Sequence, residues 1–173
     1  METTEKVVEA YVRYVKGWAT IPNIKCPGQY EIDLLAINPK SGERYHIESS
    51  VSISGGFSKL TAKPYDPEQM KVRVQQAAQR RTLGYFTDRK FSAPGILHML
   101  AKYGFETGNY QKVIVSWDWD PVVEPMAMDQ GIKLWRFADI LGEIVDTFKD
   151  EKSYYMDDTL RTLQLFAKAM KEG

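Results

Sequence analysis

The sequence has one cysteine, no excess of either charge and no long apolar run, and each shortage excludes a class of protein. Cys26 has no second cysteine to pair with, so an internal disulfide is excluded, as is typical of proteins in a reducing cytosol. Lysine plus arginine number 23, and aspartate plus glutamate also number 23. Domains that bind nucleic acid through their overall charge are usually basic. Any contact with DNA or RNA must therefore come from a local basic patch.

The first ten residues, METTEKVVEA, lack the basic start and apolar core of a signal peptide. No stretch approaches the ~18 continuous apolar residues that a membrane span needs. We therefore expect a soluble, cytoplasmic protein that does not enter a membrane. A length of 173 residues suits one domain. We expect a single domain over 1–173, with a core over about 5–140 and C-terminal helices over about 137–171.

The order of apolar patterns predicts an α/β fold, with a mixed central β-sheet flanked by helices. Alternating or continuous apolar residues predict strands at 30–37, 44–53, 110–117 and 131–135. Apolar residues at helical spacing and helix start signals predict helices at 3–18, 66–81, 93–103, 137–148 and 158–170. The intervening segments are interpreted as loops, at 21–28, 55–67, 85–90 and 118–129.

The predicted hairpin over 30–53 brings two acidic residues opposite each other. If its turn is centred between Lys40 and Ser41, residues whose numbers sum to 81 are cross-strand partners. Asp33 then faces Glu48. One face of this hairpin is mostly apolar and meets the core. The other face carries polar side chains, namely Glu31, Asp33, His46, Glu48 and Ser50. A slip of one residue would exchange the two faces.

Two carboxylates on directly opposite residues of neighbouring strands repel each other unless a cation lies between them. Mg²⁺ or Mn²⁺ is suited to this position, because hard divalent ions prefer oxygen ligands. Such an ion polarises a phosphodiester and lowers the pKa of a bound water. The alternative is an ordinary solvated face, since exposed strands often carry charged residues.

These features resemble the PD-(D/E)XK nuclease superfamily. The matching stretches are Val8-Glu9-Ala10 in the first helix, GQYEIDLLAI at 28–37 and YHIESS at 45–50. The resemblance covers about residues 5–140 and implies a restriction-endonuclease-like αβββαβ-type core with extra C-terminal helices. It also implies a metal-dependent nuclease that hydrolyses phosphodiester bonds in DNA, with Mg²⁺ or Mn²⁺ as its cofactor.

The resemblance implies roles for individual residues. Asp33 and Glu48 are the expected metal ligands, and the backbone carbonyl of Ser49 adds a further ligand. Glu9 is expected to approach from the first helix. In the helix over 66–81, Gln76 or Arg73 is expected to assist.

Ser50 stands where the superfamily has the lysine of its Glu-x-Lys motif, and three explanations are open. A cation reaches the site from elsewhere, with Lys25, Lys59, Lys71 or Arg73 as the candidates. Alternatively, serine suffices because the metal supplies the positive charge. In the third explanation the site is inactive, and the fold binds nucleic acid or a protein partner without cleaving.

Basic residues recur beyond the hairpin, at Lys59 and Lys63, at Arg80-Arg81 and at Arg89-Lys90. Aromatic residues lie among them, namely Phe57, Tyr65, Tyr85 and Phe86. This pattern indicates contact with a phosphate backbone and stacking on unpaired bases, although scattered surface charge is the alternative. Substrate binding is assigned to Lys59, Lys63, Lys71, Arg73 and Arg80. DNA is the expected partner, and a homodimer or a protein partner stays open.

Overall fold

The computed structural model describes residues 2–54 and 58–172. Phe57, one of the aromatic residues predicted to stack on bases, lies outside them. The described strands are Ala19–Cys26 (β1), Tyr30–Ile37 (β2), Arg44–Ser50 (β3), Lys59–Leu60 (β4), Tyr110–Ser116 (β5), Asp118–Trp119 (β6) and Ile132–Arg136 (β7). Five of them form a mixed sheet in the order β1-β2-β3-β5-β7. Its first three strands are antiparallel neighbours, whereas β3, β5 and β7 run parallel. The predicted α/β class with a mixed central sheet is confirmed.

The described helices are Thr3–Ala10 (α1), Gln76–Gln79 (α2), Leu83–Tyr85 (α3), Pro94–Lys102 (α4), Val123–Asp129 (α5), Phe137–Phe148 (α6) and Asp158–Glu172 (α7). Two of them continue as π-helical turns, α1 over Tyr11–Val15 and α3 over Phe86–Phe91. The helices predicted at 93–103, 137–148 and 158–170 are confirmed as α4, α6 and α7. No helix in the described part of the chain is both long and apolar enough to cross a bilayer.

The loop predicted at 21–28 is wrong, because β1 occupies most of it. β1 lies at the edge of the sheet, where a proline is tolerated because its missing N–H need not serve a second neighbour. Pro22 pairs with Leu34. The next residue, Asn23, has a φ of 55° and interrupts the ladder before Ile24 pairs with Ile32. Asparagine tolerates this left-handed conformation better than most residues.

The helix predicted over 66–81 is also wrong. The chain forms a 3₁₀ turn at Gln69–Lys71 and the single turn of α2. Helices in proteins are stabilised mainly by packing an apolar face, not by intrinsic propensity. This stretch has few apolar residues, and two of them, Val72 and Val74, are exposed. There is therefore no buried face to support a continuous helix.

The segment predicted as a loop over 85–90 is helical. Thr82 caps α3, because its Oγ1 accepts a hydrogen bond from the backbone N–H of Tyr85 at 3.1 Å. Three apolar side chains of α3 and its π-helical extension are buried, namely Leu83, Phe86 and Phe91. Their burial stabilises a conformation that the charged residues between them did not predict.

The loop predicted at 118–129 contains β6 and α5. β6 pairs in parallel with β4 in a small second sheet. α5 buries Val123 and Ala127, which are spaced so that they fall on one helix face. The proline and acidic residues of this segment indicate a loop, and the apolar face of α5 is too short to indicate a helix from the sequence.

Helices cover both faces of the central sheet. On one face, α1, α6 and α7 pack over β2, β3 and β5 around one apolar cluster. On the other face, α4 packs against β1 and β2. Beside α4, the segment of α3 and Phe86–Phe91 packs with α5 against β5 and β7. The C-terminal helices therefore share a core with the N-terminal helix.

Candidate active site

Strands β2 and β3 separate at the point where the two predicted acidic residues lie. The predicted register is confirmed by four observed pairs, Leu34–Ile47, Leu35–His46, Ala36–Tyr45 and Ile37–Arg44. Beyond Leu34, β2 continues only beside β1, whereas β3 continues only beside β5. Asp33 and Glu48 therefore lie in a fork between two diverging strands.

In this fork, the carboxylates of Asp33 and Glu48 accept hydrogen bonds from backbone N–H groups. The backbone N–H of Asp33 donates to Glu48 Oε1 at 3.3 Å. The backbone N–H of Ser49 donates to Asp33 Oδ2 at 2.8 Å. The two carboxylates thus accept from backbone donors that a continuous ladder would otherwise satisfy. The predicted convergence of the two acidic side chains is confirmed.

Lys90, from the π-helical segment Phe86–Phe91, lies between the two carboxylates. Its Nζ donates to Asp33 Oδ1 at 2.9 Å and to the backbone carbonyl of Glu31 at 3.0 Å. The same nitrogen lies 2.5 Å from Glu48 Oε2. Lys90 therefore carries the charge partner of both carboxylates, and the buried Glu48 Oε2 has this ammonium beside it.

The cation at the site is therefore none of the four candidates proposed from the sequence. Lys25 pairs with Glu31, Lys59 lies 3.8 Å from Asp118, and Lys71 binds Glu68. Arg73 is exposed and does not line the site. Lys90 was identified only as part of a basic pattern, because its segment was interpreted as a loop far along the chain. Its contacts replace the positive charge that Ser50 lacks.

The ionisation of the three groups is strongly coupled. Burial, followed by the neighbouring charge of Glu48, raises the pKa of Asp33 to about 7. Burial also raises the pKa of Glu48, although Lys90 opposes this effect. For Lys90, burial alone would lower the pKa, but the charges of Glu48 and Asp33 outweigh burial and raise it. The lysine therefore stays protonated, and Asp33 titrates near neutral pH.

His46 supports Glu48 from the side away from Lys90. Its Nε2 lies 2.7 Å from Glu48 Oε1, and its ring packs edge-on against Phe91 at 4.9 Å between centroids. Burial, followed by the charge of Lys90, lowers the pKa of His46 to about 3. The imidazole is therefore neutral, and its single N–H is assigned to Nε2 because a carboxylate is a hydrogen-bond acceptor. His46 Nδ1 has no partner among the described residues.

The polar face predicted for the hairpin is not a solvated face. His46 and Glu48 are each 0% exposed, and Asp33 is 7% exposed. Helical residues from the 86–102 region cover this face, which is also where Leu35 is buried. Buried charges of this kind are found only where they are paired or functional. The solvated-face alternative is therefore wrong for Asp33 and Glu48.

A cavity of about 290 Å³ opens beside the buried pair. Its walls bring together acidic, basic, hydroxyl and aromatic residues: Glu2, Glu5, Asp33, Ser49, Ser50, Val51, Ala77, Arg80, Arg81, Tyr85, Phe86 and Lys90. Asp33 and Lys90 connect this cavity to the interior, where Glu48 is enclosed. The cavity is therefore the place where a ligand would meet the carboxylate pair.

The acidic residue that α1 directs to the cavity is Glu5, not Glu9. Glu9 accepts a hydrogen bond from Thr20 Oγ1 at 3.2 Å, lies 3.8 Å from Arg13 and borders a different cavity. Glu5 lies one helical turn earlier and is half-buried. Its pKa is raised, mainly by burial, while the hydrogen bond from Glu2 opposes this and the charge of Asp33 adds to it. The expected residue, Glu9, therefore lies one helical turn beyond the acidic residue that borders the cavity.

The other predicted site residues are divided between the cavity and the outer surface. Ser49, Ser50 and Arg80 line the cavity, and Ser49 also anchors Asp33 through its backbone N–H. Gln76 belongs to α2 but does not line the cavity, where Ala77 lies instead. The remaining basic residues assigned to substrate, Lys59, Lys63, Lys71 and Arg73, are exposed and do not line it either.

Few side chains at this site could serve as ligands of a metal ion. Across 2–54 and 58–172, no group of three or more His, Cys, Asp and Glu side chains is arranged to hold a metal. Two carboxylates converge, those of Asp33 and Glu48, and both contact the Lys90 ammonium. Mg²⁺ is commonly bound through one or two protein carboxylates, with waters and substrate phosphates as its other ligands. Asp33 and Glu48 match this number of protein ligands, and the Lys90 ammonium lies between them in this structure.

No protein-family model matches this chain, and no curated protein or solved structure is significantly similar to it. A functional interpretation therefore depends on the geometry of the fork and its cavity, and on the short motifs that the sequence contains.

Proposed function

We propose that this protein is a metal-dependent nuclease that hydrolyses phosphodiester bonds in DNA. The observation that carries the proposal is the contact of one lysine with two carboxylates, in which Lys90 Nζ lies 2.9 Å from Asp33 and 2.5 Å from Glu48. An acidic pair from neighbouring strands with a lysine beside it is what the resemblance to the PD-(D/E)XK superfamily implies. Here the lysine comes from a helical segment instead of position 50.

The order of elements supports the same proposal. With β1 included, α1 is followed by the three antiparallel strands β1 to β3, by the short β4 of the second sheet, by the helices α2 to α4 and by β5. This is the αβββαβ order that the resemblance implies for a restriction-endonuclease-like core. Asp33 lies on β2 and Glu48 on the following strand, β3, which supports the strand–turn–strand pattern that the resemblance implies.

Perturbed ionisable groups beside a cavity are also typical of functional sites. Asp33 has a pKa of about 7, far above that of an ordinary aspartate, because it is buried next to Glu48. Keeping two carboxylates and an ammonium group buried is costly for folding unless every charge is well paired. A catalytic role explains why the sequence keeps this arrangement.

The chemistry divides among a few groups. A bound Mg²⁺ or Mn²⁺ would be held by Asp33 and Glu48, and would lower the pKa of a water and neutralise charge on the phosphate. Lys90 places a permanent positive charge at the cavity wall, where it stabilises the negative charge that develops on phosphorus oxygens. His46 holds Glu48 in place by donating to Oε1. Ser50 is left as a hydroxyl donor or acceptor at the cavity.

One observation favours an alternative, a nuclease-like module that binds nucleic acid or a protein partner without cleaving. The Lys90 ammonium already contacts both carboxylates, so these two groups are neutralised in part without a metal. The zero net charge of the chain also gives no general attraction to DNA. Activity measurements separate this alternative from the nuclease.

The test is a cleavage assay with Mg²⁺, Mn²⁺ or EDTA on duplex, single-stranded and branched DNA. We expect nicking or cutting with either metal, none with EDTA, and none by Asp33→Ala. Glu9→Ala is the control, because Glu9 is an acidic residue of α1 that lies away from this cavity, and this variant should cleave at the wild-type rate.

Absence of cleavage on all three substrates by a correctly folded wild-type protein would reject the nuclease. Cleavage that persists in Asp33→Ala would reject the assigned site, since the activity would then come from elsewhere or from a contaminant. The binding module would be favoured by two results together. The wild type would not cleave any substrate, and the Glu48→Ala variant would still bind DNA.

A further inference from the structure

The cavity is also lined by Arg81, whose contacts differ from those of Lys90. Arg81 lines it and is about half buried, and its Nη1 donates to the backbone carbonyl of Ser50 at 3.1 Å. Within residues 2–54 and 58–172 its guanidinium forms no ion pair with a carboxylate. Burial lowers the pKa of Arg81, and the charge of Glu2, which lines the same cavity, opposes that change. A partly desolvated guanidinium without a counter-ion is unfavourable unless an anion joins it.

Arg81 is held in place at two points. The backbone N–H of Thr61 donates to the carbonyl of Arg81 at 2.8 Å, and the N–H of Leu83 returns a bond to Thr61 at 2.9 Å. The side chain is fixed separately by Ser50, at the end of β3. An arginine positioned in this way loses little conformational freedom when it binds a ligand.

The chemistry of the neighbouring groups indicates what this arginine binds. A guanidinium presents a planar fork of donors that matches the oxygens of a phosphate group. Arg80 and Lys90 border the same cavity, so three cations surround it on the side of the helical segments. Three acidic residues, Glu2, Glu5 and Asp33, line it too, and they repel an anion unless a cation neutralises their charge.

We propose that Arg81 binds a backbone phosphate of the nucleic acid within this cavity, which rests on the proposed nuclease function. The bond to Ser50 fixes the guanidinium two residues beyond Glu48 along β3, so the phosphate it holds lies next to the acidic pair. Arg81 is then a substrate-positioning residue with a defined partner. The exposed basic residues, by comparison, provide at most general attraction.

The test measures DNA binding in EDTA, so that neither a metal nor cleavage enters the result. Fluorescence anisotropy of a labelled oligonucleotide, single-stranded and duplex, is compared for the wild type, Arg81→Met and Arg81→Lys. Arg73→Met is the matched control, because it removes one positive charge from a nearby exposed site outside the cavity. Thermal unfolding of each variant confirms that it is folded.

We expect Arg81→Met to weaken binding about tenfold and to reduce the slope of log affinity against log salt by about one, as for the loss of one phosphate contact. Arg81→Lys should weaken binding about threefold, because lysine keeps the charge but loses the two-pronged geometry. Arg73→Met should change affinity less than twofold.

The outcomes separate this inference from the proposed function. Equal affinity for Arg81→Met and Arg73→Met would overturn the phosphate site even if the wild type cleaves DNA. An absence of measurable DNA binding by the folded wild type would also overturn it. The expected loss of binding in a protein that never cleaves would support the phosphate site while rejecting the nuclease.

Discussion

Lys90 and Glu48 form an ion pair inside the protein, with 2.5 Å between Nζ and Oε2 and with the glutamate fully enclosed. Lys90 belongs to the π-helical segment Phe86–Phe91 and Glu48 to β3, so the ion pair links this helical segment to the central sheet. Because Asp33 contacts the same ammonium, one lysine serves two acidic groups. Removing Lys90 leaves two buried carboxylates without a cation, whereas removing either carboxylate leaves one ion pair.

Loss of the lysine should destabilise the protein in a pH-dependent way. Lys90→Met leaves two buried carboxylates without a cation, which at pH 8 should lower the free energy of unfolding by about 3–5 kcal/mol. At pH 5 the loss should be smaller, because Asp33, with a pKa of about 7, is protonated in the folded protein. Chemical denaturation at both pH values checks this, with Lys102→Met as the exposed-lysine control. An equal loss at both pH values would contradict the coupling.

Metal affinity should follow the ionisation of Asp33. Burial and Glu48 raise its pKa from 3.8 to about 7, so below pH 7 a metal must displace a proton. The affinity for Mn²⁺ should fall about tenfold for each pH unit below 7, and level off above it. Titration calorimetry at several pH values, in buffers of different ionisation enthalpy, measures both the affinity and the proton release. Affinity independent of pH between 5.5 and 7 would argue against Asp33 as a ligand.

The same shift has a consequence for stability in the absence of metal. The folded protein binds a proton at Asp33 between about pH 4 and pH 7, where the unfolded chain has already released it. This contribution favours folding at low pH and is lost as the pH rises through about 7. A divalent ion should therefore stabilise the wild type more at pH 8 than at pH 6, in thermal unfolding with and without Mn²⁺.

Glu5 should contribute to metal binding, and Glu9 should not. Glu5→Gln removes a negative charge from the cavity but keeps an oxygen that can still accept the hydrogen bond from the Glu2 backbone. We expect a loss of about 10-fold in metal affinity or cleavage rate, as for a group that supports the ligands. Glu9→Gln, the same change one turn later, should have no such effect. A larger effect from Glu9→Gln would restore the original sequence-based assignment.

His46 should hold Glu48 as a neutral imidazole. His46→Ala removes the hydrogen bond to Glu48 Oε1 and should lower metal affinity about 10- to 100-fold. Its pKa is lowered from 6.5 to about 3, so the unfolded chain takes up a proton there before the folded protein does. The stability of the wild type relative to this variant should be constant above pH 7 and decline as the pH falls from 6.5 towards 3. A difference that does not change with pH would mean that His46 is not buried as a neutral group.

The sequence predicted the hairpin and its acidic pair because both depend on local periodicity. Asp33 and Glu48 follow from the alternation of β2 and β3 about one turn, which needs no knowledge of the rest of the chain. Lys90 did not follow, because its segment becomes helical only when Phe86 and Phe91 find buried positions against the sheet. β1 was not predicted because it contains Pro22. Proline is excluded from central strands, but an edge strand such as β1 tolerates it.

The proposed nuclease requires Asp33, Glu48 and Lys90 to act together as one catalytic centre. The decisive measurement is the single-turnover rate of DNA cleavage, in saturating Mn²⁺, of Asp33→Asn, Lys90→Met and the double variant. Groups that act as a unit give non-additive losses. We predict that each single substitution lowers the rate by about 10³-fold or more, and that the double variant is no more than a few-fold slower than either. A folded Lys90→Met protein that cleaves at the wild-type rate would contradict the claim.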